Sequence, residues 1–168
     1  MRPTYLAIAI AIASVAVPLP ASAQMGAPRP AQTPCLAATG EPENCVRILA
    51  CIGDDGRWFD GRATGWNSGA VTGRTSDGVS CTGTWGIEPS GIGRAELFCE
   101  DGTAASVLSR YQDYETGTTI GEGLTGEGET IRTWSGENVL DFLLEDGTPT
   151  LPCGGDGVDF DRDGIPIS

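Results

Sequence analysis

Residues 81–102 read Cys81-Thr82-Gly83-Thr84-Trp85-Gly86-Ile87-Glu88-Pro89-Ser90-Gly91-Ile92-Gly93-Arg94-Ala95-Glu96-Leu97-Phe98-Cys99-Glu100-Asp101-Gly102. Two short strand-like runs, 81–85 and 94–99, flank a segment rich in Gly and Pro, which is the composition of a turn between paired strands. Cys81 and Cys99 stand symmetrically about Ser90, so an antiparallel hairpin centred there sets them face to face. Opposed Cα atoms in such a pair lie about 4.5–5.5 Å apart, within disulfide reach. The stretch closes on Asp101-Gly102, and the chain returns to that phrase.

Asp55-Gly56, Asp77-Gly78, Asp101-Gly102 and Asp146-Gly147 carry it, with a degenerate copy at Thr125-Gly126; successive glycines lie 22, 24, 24 and 21 residues apart. A fixed period of this length is the signature of a repeat architecture. Segment 96–102 resembles 141–147 almost position for position. After the first 23 residues no segment shows a convincing 3.6-residue apolar period. Residues 104–114 fall where the repeat calls for a strand, and their Ser, Val and Tyr content tolerates one. Short apolar runs at 46–50, 69–74, 95–98, 130–134 and 139–143 alternate with glycine-rich turns, as in an antiparallel meander. Each period then holds one hairpin and ends in a tight Asp-Gly turn, with positive φ at both central positions. The expected fold is all-β: an antiparallel meander of about five ~23-residue β-hairpin repeats, at 35–56, 57–78, 79–102, 103–126 and 127–147. Stacking would bury apolar faces that one hairpin cannot bury alone. Trp58, Trp66, Trp85, Phe98, Trp134 and Phe142 are expected to supply most of that core.

The period, the aromatic-x-x-Gly of Trp58-Phe59-Asp60-Gly61, and Gly-x-Gly at 91–93 and 121–123 resemble MORN repeats over residues 52–147. The chain departs from that pattern in lacking regular Tyr-x-Gly openings in units three to five and in carrying cysteines. The resemblance implies an elongated, curved sheet that serves as an interaction surface. It carries over no catalytic residue.

Residues 1–23 read as a secretory signal peptide: Arg2, an apolar run at 6–17, and an A-x-A cleavage site at Ala21-Ser22-Ala23. The run is too short to span a bilayer. Residues 24–34 read as a flexible leader, 35–153 as the β-repeat domain and 154–168 as an acidic, Gly-rich tail. The expected location is periplasmic or secreted, with no membrane insertion once the signal is cleaved. Six cysteines in an exported chain imply three disulfides. Besides Cys81 with Cys99, hairpin logic places Cys35 opposite Cys51 across 40–44. That leaves Cys45 to pair with Cys153, with Cys35–Cys45 as the alternative to the second pair.

The formal net charge is −13, with 10 basic residues, all arginine, and neither lysine nor histidine. So acidic a chain repels phosphate backbones and argues against a nucleic-acid partner. Without histidine there is no Ser-His-Asp or Cys-His arrangement. Without lysine there is no Schiff base. Carboxylate chemistry survives, but most acids occupy Asp-Gly turns and spacing singles out no pair. One local motif has chemical content: Asp159, Asp161 and Asp163, followed by Gly164, open like a calcium loop whose oxygens converge on one cation. A weak calcium site and a plain acidic tail both fit; no other cofactor is implied. Two functions stay in contention. One is a non-catalytic binding or structural module that presents its sheet to a protein or cell-envelope component. On that sheet Arg57, Arg62, Arg74 and Arg132 would make polar contacts beside exposed aromatics. The other is a small secreted carboxylate-dependent hydrolase acting on glycans.

Overall fold

Eight strands follow one another up and down: β1 (Cys45–Ile52), β2 (Arg57–Trp66), β3 (Ser68–Thr75), β4 (Ser80–Ile87), β5 (Gly93–Cys99), β6 (Ala104–Gln112), β7 (Thr119–Thr125) and β8 (Thr130–Gly136). Each pairs antiparallel with the next, and β8 returns to β1 in the register Leu49↔Trp134, so the sheet closes into a barrel. The computed structural model describes residues 35–155, 157–161 and 164–167. The expected signal peptide, the leader and Asp163 lie outside them.

The period seen in the sequence is a hairpin period, but the expected open meander of five hairpins is not what forms. Segments 57–78, 79–102 and 103–126 each contribute two barrel strands, whereas 35–56 and 127–147 contribute one each, β1 and β8. These two single strands pair with each other along Arg47↔Gly136 to Ile52↔Ile131. Closure follows from curvature and leaves no sheet edge exposed. Gly83 and Gly123 mark the bends: a Cβ on either would overlap the carbonyl oxygen of the neighbouring strand, Glu96 or Ser106.

The turns also differ from expectation. Gly78 N–H donates to Thr75 O at 2.9 Å and Thr75 N–H to Val79 O at 3.0 Å; of Asp77 and Gly78, only Gly78 (φ 89°) is left-handed. The same geometry recurs at Gly102 (φ 90°) and at Gly128 (φ 87°). This is a type I turn closed by a glycine bulge, so the acid needs no positive φ and only the glycine is obligatory. The fourth copy is therefore Glu127-Gly128, two residues beyond the expected Thr125-Gly126. The two-residue form with both positions positive occurs at Asp146 (φ 49°) and Gly147 (φ 83°).

That turn belongs to a C-terminal cap outside the barrel. After one helical turn, α1 (Val139–Phe142), strands β9 (Leu144–Glu145), β10 (Thr148–Leu151), β11 (Val158–Phe160) and β12 (Pro166–Ile167) form a small sheet. The run 139–143 was expected as a strand. It coils because Val139 and Leu143, four apart, are both buried on one face, with Leu143 N–H donating to Val139 O at 3.2 Å. Between the cap and the barrel's outer wall lies one core: Leu49, Cys51, Trp58 and Trp134 from the wall, and Val139, Leu143, Leu151, Cys153 and Val158 from the cap. A second core lies inside the barrel around Ala50, Phe59, Ala63, Val71, Val107 and Ile131. Trp58 and Trp134 are thus core residues as expected, whereas Trp66 and Phe98 are exposed.

Cys81 and Cys99 are direct register partners and form a disulfide, as the hairpin predicts. The other two pairings are corrected: Cys35 bonds Cys45, and Cys51 bonds Cys153. Residues 35–44 do not make a strand against β1. They fold back on its first residue, where Cys45 N–H donates to Leu36 O at 3.1 Å and Ala38 N–H donates to the Asn44 side-chain oxygen at 2.9 Å. Cys51 points outward from β1 into the cap core, where Cys153 meets it.

Candidate functional site

Side chains alternate across the wall except at an irregularity in β6. Val46, Ile48, Ala50 and Ile52 of β1 face inward, as do Ala95, Leu97 and Cys99 of β5, while Leu49 and Cys51 face the cap. Many inward positions carry small residues or none: Gly61, Gly73, Ala63, Ala95, Ala105 and Gly121. Phe59 takes the space over Gly61 and Gly73, whose absent Cβ atoms would run into its ring. What remains is an interior cavity of ≈ 630 Å³, within the ordinary range for small-molecule sites.

One end is floored by buried side chains, Cys81 (2% exposed), Ile131 (5%) and Thr125 (6%). At the other end, lining residues reach solvent: Trp66 (43%), Ile87 (52%), Tyr111 (60%) and Tyr114 (92%). The aromatic end, opposite the acid-Gly turns, forms a mouth; at the turn end the exposed Asp77 and Asp101 also line the cavity. Trp85 is pinned across the rim by its indole N–H, which donates to Thr64 O at 3.0 Å.

The walls differ chemically. Strands β1 to β5 supply the apolar side. On β6 to β8 the lining turns polar toward the mouth, above Ala105, Val107 and Ile131: Gln112, Thr119 and Ser135 are cross-strand neighbours in one row at the mouth, and Ser109 and Thr133 flank Gly121 one step deeper. A Cβ at Gly121 would sit 2.5 Å from Thr133 Oγ1 and 2.8 Å from Ser109 Oγ, so the glycine keeps both hydroxyls open to the lumen.

The carboxylates that line the cavity, Asp77 and Asp101, belong to the turns. Asp77 accepts the Thr75 hydroxyl, and Asp101 accepts Thr103 N–H at 2.9 Å. That backbone hydrogen bond holds the Asp101 carboxyl below the usual carboxylate value, so it stays ionised at neutral pH.

The arginines expected on a docking sheet are mostly engaged within the chain. Arg57 pairs with Asp55 and Glu129, Arg62 with Asp60, and Arg132 lies 5.3 Å over the Trp134 ring. Arg74 is exposed on β3. In the stretch read as a calcium loop, Asp159 is a strand residue paired with Thr150 and Ile167. Asp161 accepts Ile165 N–H at 2.8 Å through its side chain and so shapes the β11–β12 turn. Among the described residues, no group of three or more His, Cys, Asp or Glu is placed to hold a metal ion.

No family model matches the chain, and no curated protein does. Among solved structures it is similar to designed barrels. One is a redesigned β-barrel bound to DFHBI, with 12% identity and TM-score 0.44, covering 56% of this chain and 96% of that one. Another is a second redesign bound to DFHBI, with 15% identity and TM-score 0.44, covering 56% and 93%. A third is a de novo fluorescence-activating β-barrel, with 14% identity and TM-score 0.45, covering 55% and 90%.

Proposed function

We propose that this protein is an exported, non-catalytic binding module whose site is the barrel interior and whose ligand is a small, largely apolar molecule. The observation that carries the reading is the ≈ 630 Å³ cavity, walled mainly by apolar and small residues and opening through an aromatic rim. Eight-stranded barrels have room for one small ligand when their inward side chains are short.

The sheet-surface alternative, docking to a protein or envelope component, loses support because closure leaves no edge and internal pairs occupy Arg57 and Arg62. Glycan hydrolysis has no favouring observation, since Glu96 and Glu122 lie on outward positions and Asp101 is tied into its turn. The outer wall carries Arg74, Glu96 and Glu122 while the lumen is mainly apolar, the reverse of a lipid-embedded barrel; this supports a water-facing protein.

Titration calorimetry with decanol is expected to give one site per chain. Ala95→Phe, which extends a ring into the lumen, should weaken it by at least about tenfold with the melting temperature little changed. Equal binding by both proteins would remove the site from the barrel. Hydrolysis of a glycan, lost on replacing one Asp or Glu, would overturn the non-catalytic reading. Export rests on the N-terminal signal pattern and is compatible with three intramolecular disulfides. N-terminal sequencing of the exported protein should begin at Gln24; an intact Met1 would count against it.

A further inference from the structure

The cavity is not symmetric, and its polar side carries a cation. β6 contains a bulge: Ser109 pairs with Gly121, but Tyr111 pairs with Ile120 and Gln112 with Thr119, so Arg110 is left over. A bulge re-aims the side chain it carries. In an unbroken strand Arg110, next to inward-facing Ser109, would point away from the lumen; here Ser109, Arg110, Tyr111 and Gln112 all line the mouth. Below it lies the row of Gln112, Thr119 and Ser135, followed by the hydroxyls of Ser109 and Thr133 beside Gly121.

Arg110 also differs from the other arginine at the mouth. Arg94 is held by Glu88 at 3.0 Å and Glu96 at 3.6 Å. Arg110 has no carboxylate partner among the described residues. Among the described arginines, Arg47, Arg57, Arg62 and Arg94 pair with acids. A cation placed over an apolar cavity, beside donors that face inward, makes a head-group subsite.

Resting on the cavity reading above, we infer that the ligand is an amphipathic organic anion, specifically an apolar carboxylate. Its body fills the lumen against Val46, Ile48, Ala63 and Leu97. Its carboxylate meets the Arg110 guanidinium and the Gln112, Thr119 and Ser135 donors at the mouth. A guanidinium matches a carboxylate in shape as well as charge, through two parallel N–H donors. The negative surface elsewhere does not abolish this preference, because the contact is short and the long-range repulsion is screened within about 8 Å at physiological salt.

The experiment compares decanoate with decanol, equal in apolar length and different in charge, by calorimetry on the full-length protein. Decanoate is expected to bind at least about tenfold more tightly, the scale of a charge-assisted hydrogen bond. Arg110→Gln should erase that preference by weakening decanoate at least about tenfold while changing decanol affinity far less, and Arg110→Lys should restore part of it. Arg110 is exposed, so neither change should disturb folding. Raising the salt should shrink the preference in the wild-type protein only. If decanol and decanoate bind equally, or Arg110→Gln keeps the preference, the head-group assignment is overturned and the cavity reading stands. If neither ligand binds, both are overturned.

Discussion

Replacing Cys51 and Cys153 together by alanine is expected to lower the unfolding free energy by roughly 4–5 kcal/mol, the value for a closed loop of about 100 residues in the chain-entropy model. The two cysteines are 102 residues apart, so the bond spans nearly the whole barrel. It is also the covalent tie between β1 and the cap. Leu49 is fully buried, and Trp58 and Trp134 nearly so, only because the cap covers them. Removing Cys81 and Cys99 should cost less, about 3 kcal/mol, because that loop spans 18 residues and their hairpin register is already set by β4–β5 pairing. Denaturant unfolding of both double variants measures the order, and early proteolysis within 139–167 in the first variant would locate the loss at the cap. A larger cost for the Cys81 and Cys99 variant would mean that the cap is held by packing alone.

Cys81 with Cys99 was legible because the sequence places both residues inside one hairpin, with a symmetric turn between them. Cys51 with Cys153 was not, because it depends on which face of β1 points to the cap, and strand parity alone does not say which face is buried. β1 hides this further: Ile48 and Ala50 look into the barrel while Leu49 and Cys51 look into the cap, so Val-Arg-Ile-Leu-Ala-Cys-Ile reads as a nearly unbroken apolar run. The period of about 23 residues was visible and corresponds to a pair of strands plus a turn. Closure was not, because it depends on twist accumulated over eight strands and on glycines such as Gly83 whose role is to let backbones approach. The fourth turn was misplaced by reading Asp-Gly as the motif, when the geometry asks only for a glycine after the turn and accepts Glu127 as readily. The cavity escaped detection for a related reason: the sequence signals a lumen only by small residues at inward positions, and inwardness is not fixed until the barrel closes. Arg110 was the least legible of all, since its placement rests on a bulge.

Asp60→Ala is expected to destabilise the protein by about 3–5 kcal/mol, as removal of one partner from a buried ionic group does. Asp60 is 4% exposed on the outer face of β2. Arg47 donates to its two carboxylate oxygens from Nε at 3.0 Å and Nη2 at 2.9 Å, and Arg62 adds a third hydrogen bond at 3.0 Å. Arg47 in turn lies 5.6 Å over the Phe160 ring, so the cluster links the barrel wall to β11 of the cap. Deleting the carboxylate leaves two guanidinium groups, 14% and 22% exposed, facing each other without a counter-charge. The loss is then largely the penalty of the stranded cations, which can be tested directly. Adding Arg47→Met and Arg62→Met to Asp60→Ala should recover most of the stability, because an apolar replacement of a whole buried ionic cluster is often neutral. Chemical denaturation of the single and triple variants separates the two possibilities. If the triple variant is no more stable than Asp60→Ala, the cluster contributes through hydrogen bonds and the Arg47–Phe160 contact, and the cap should then be released in both.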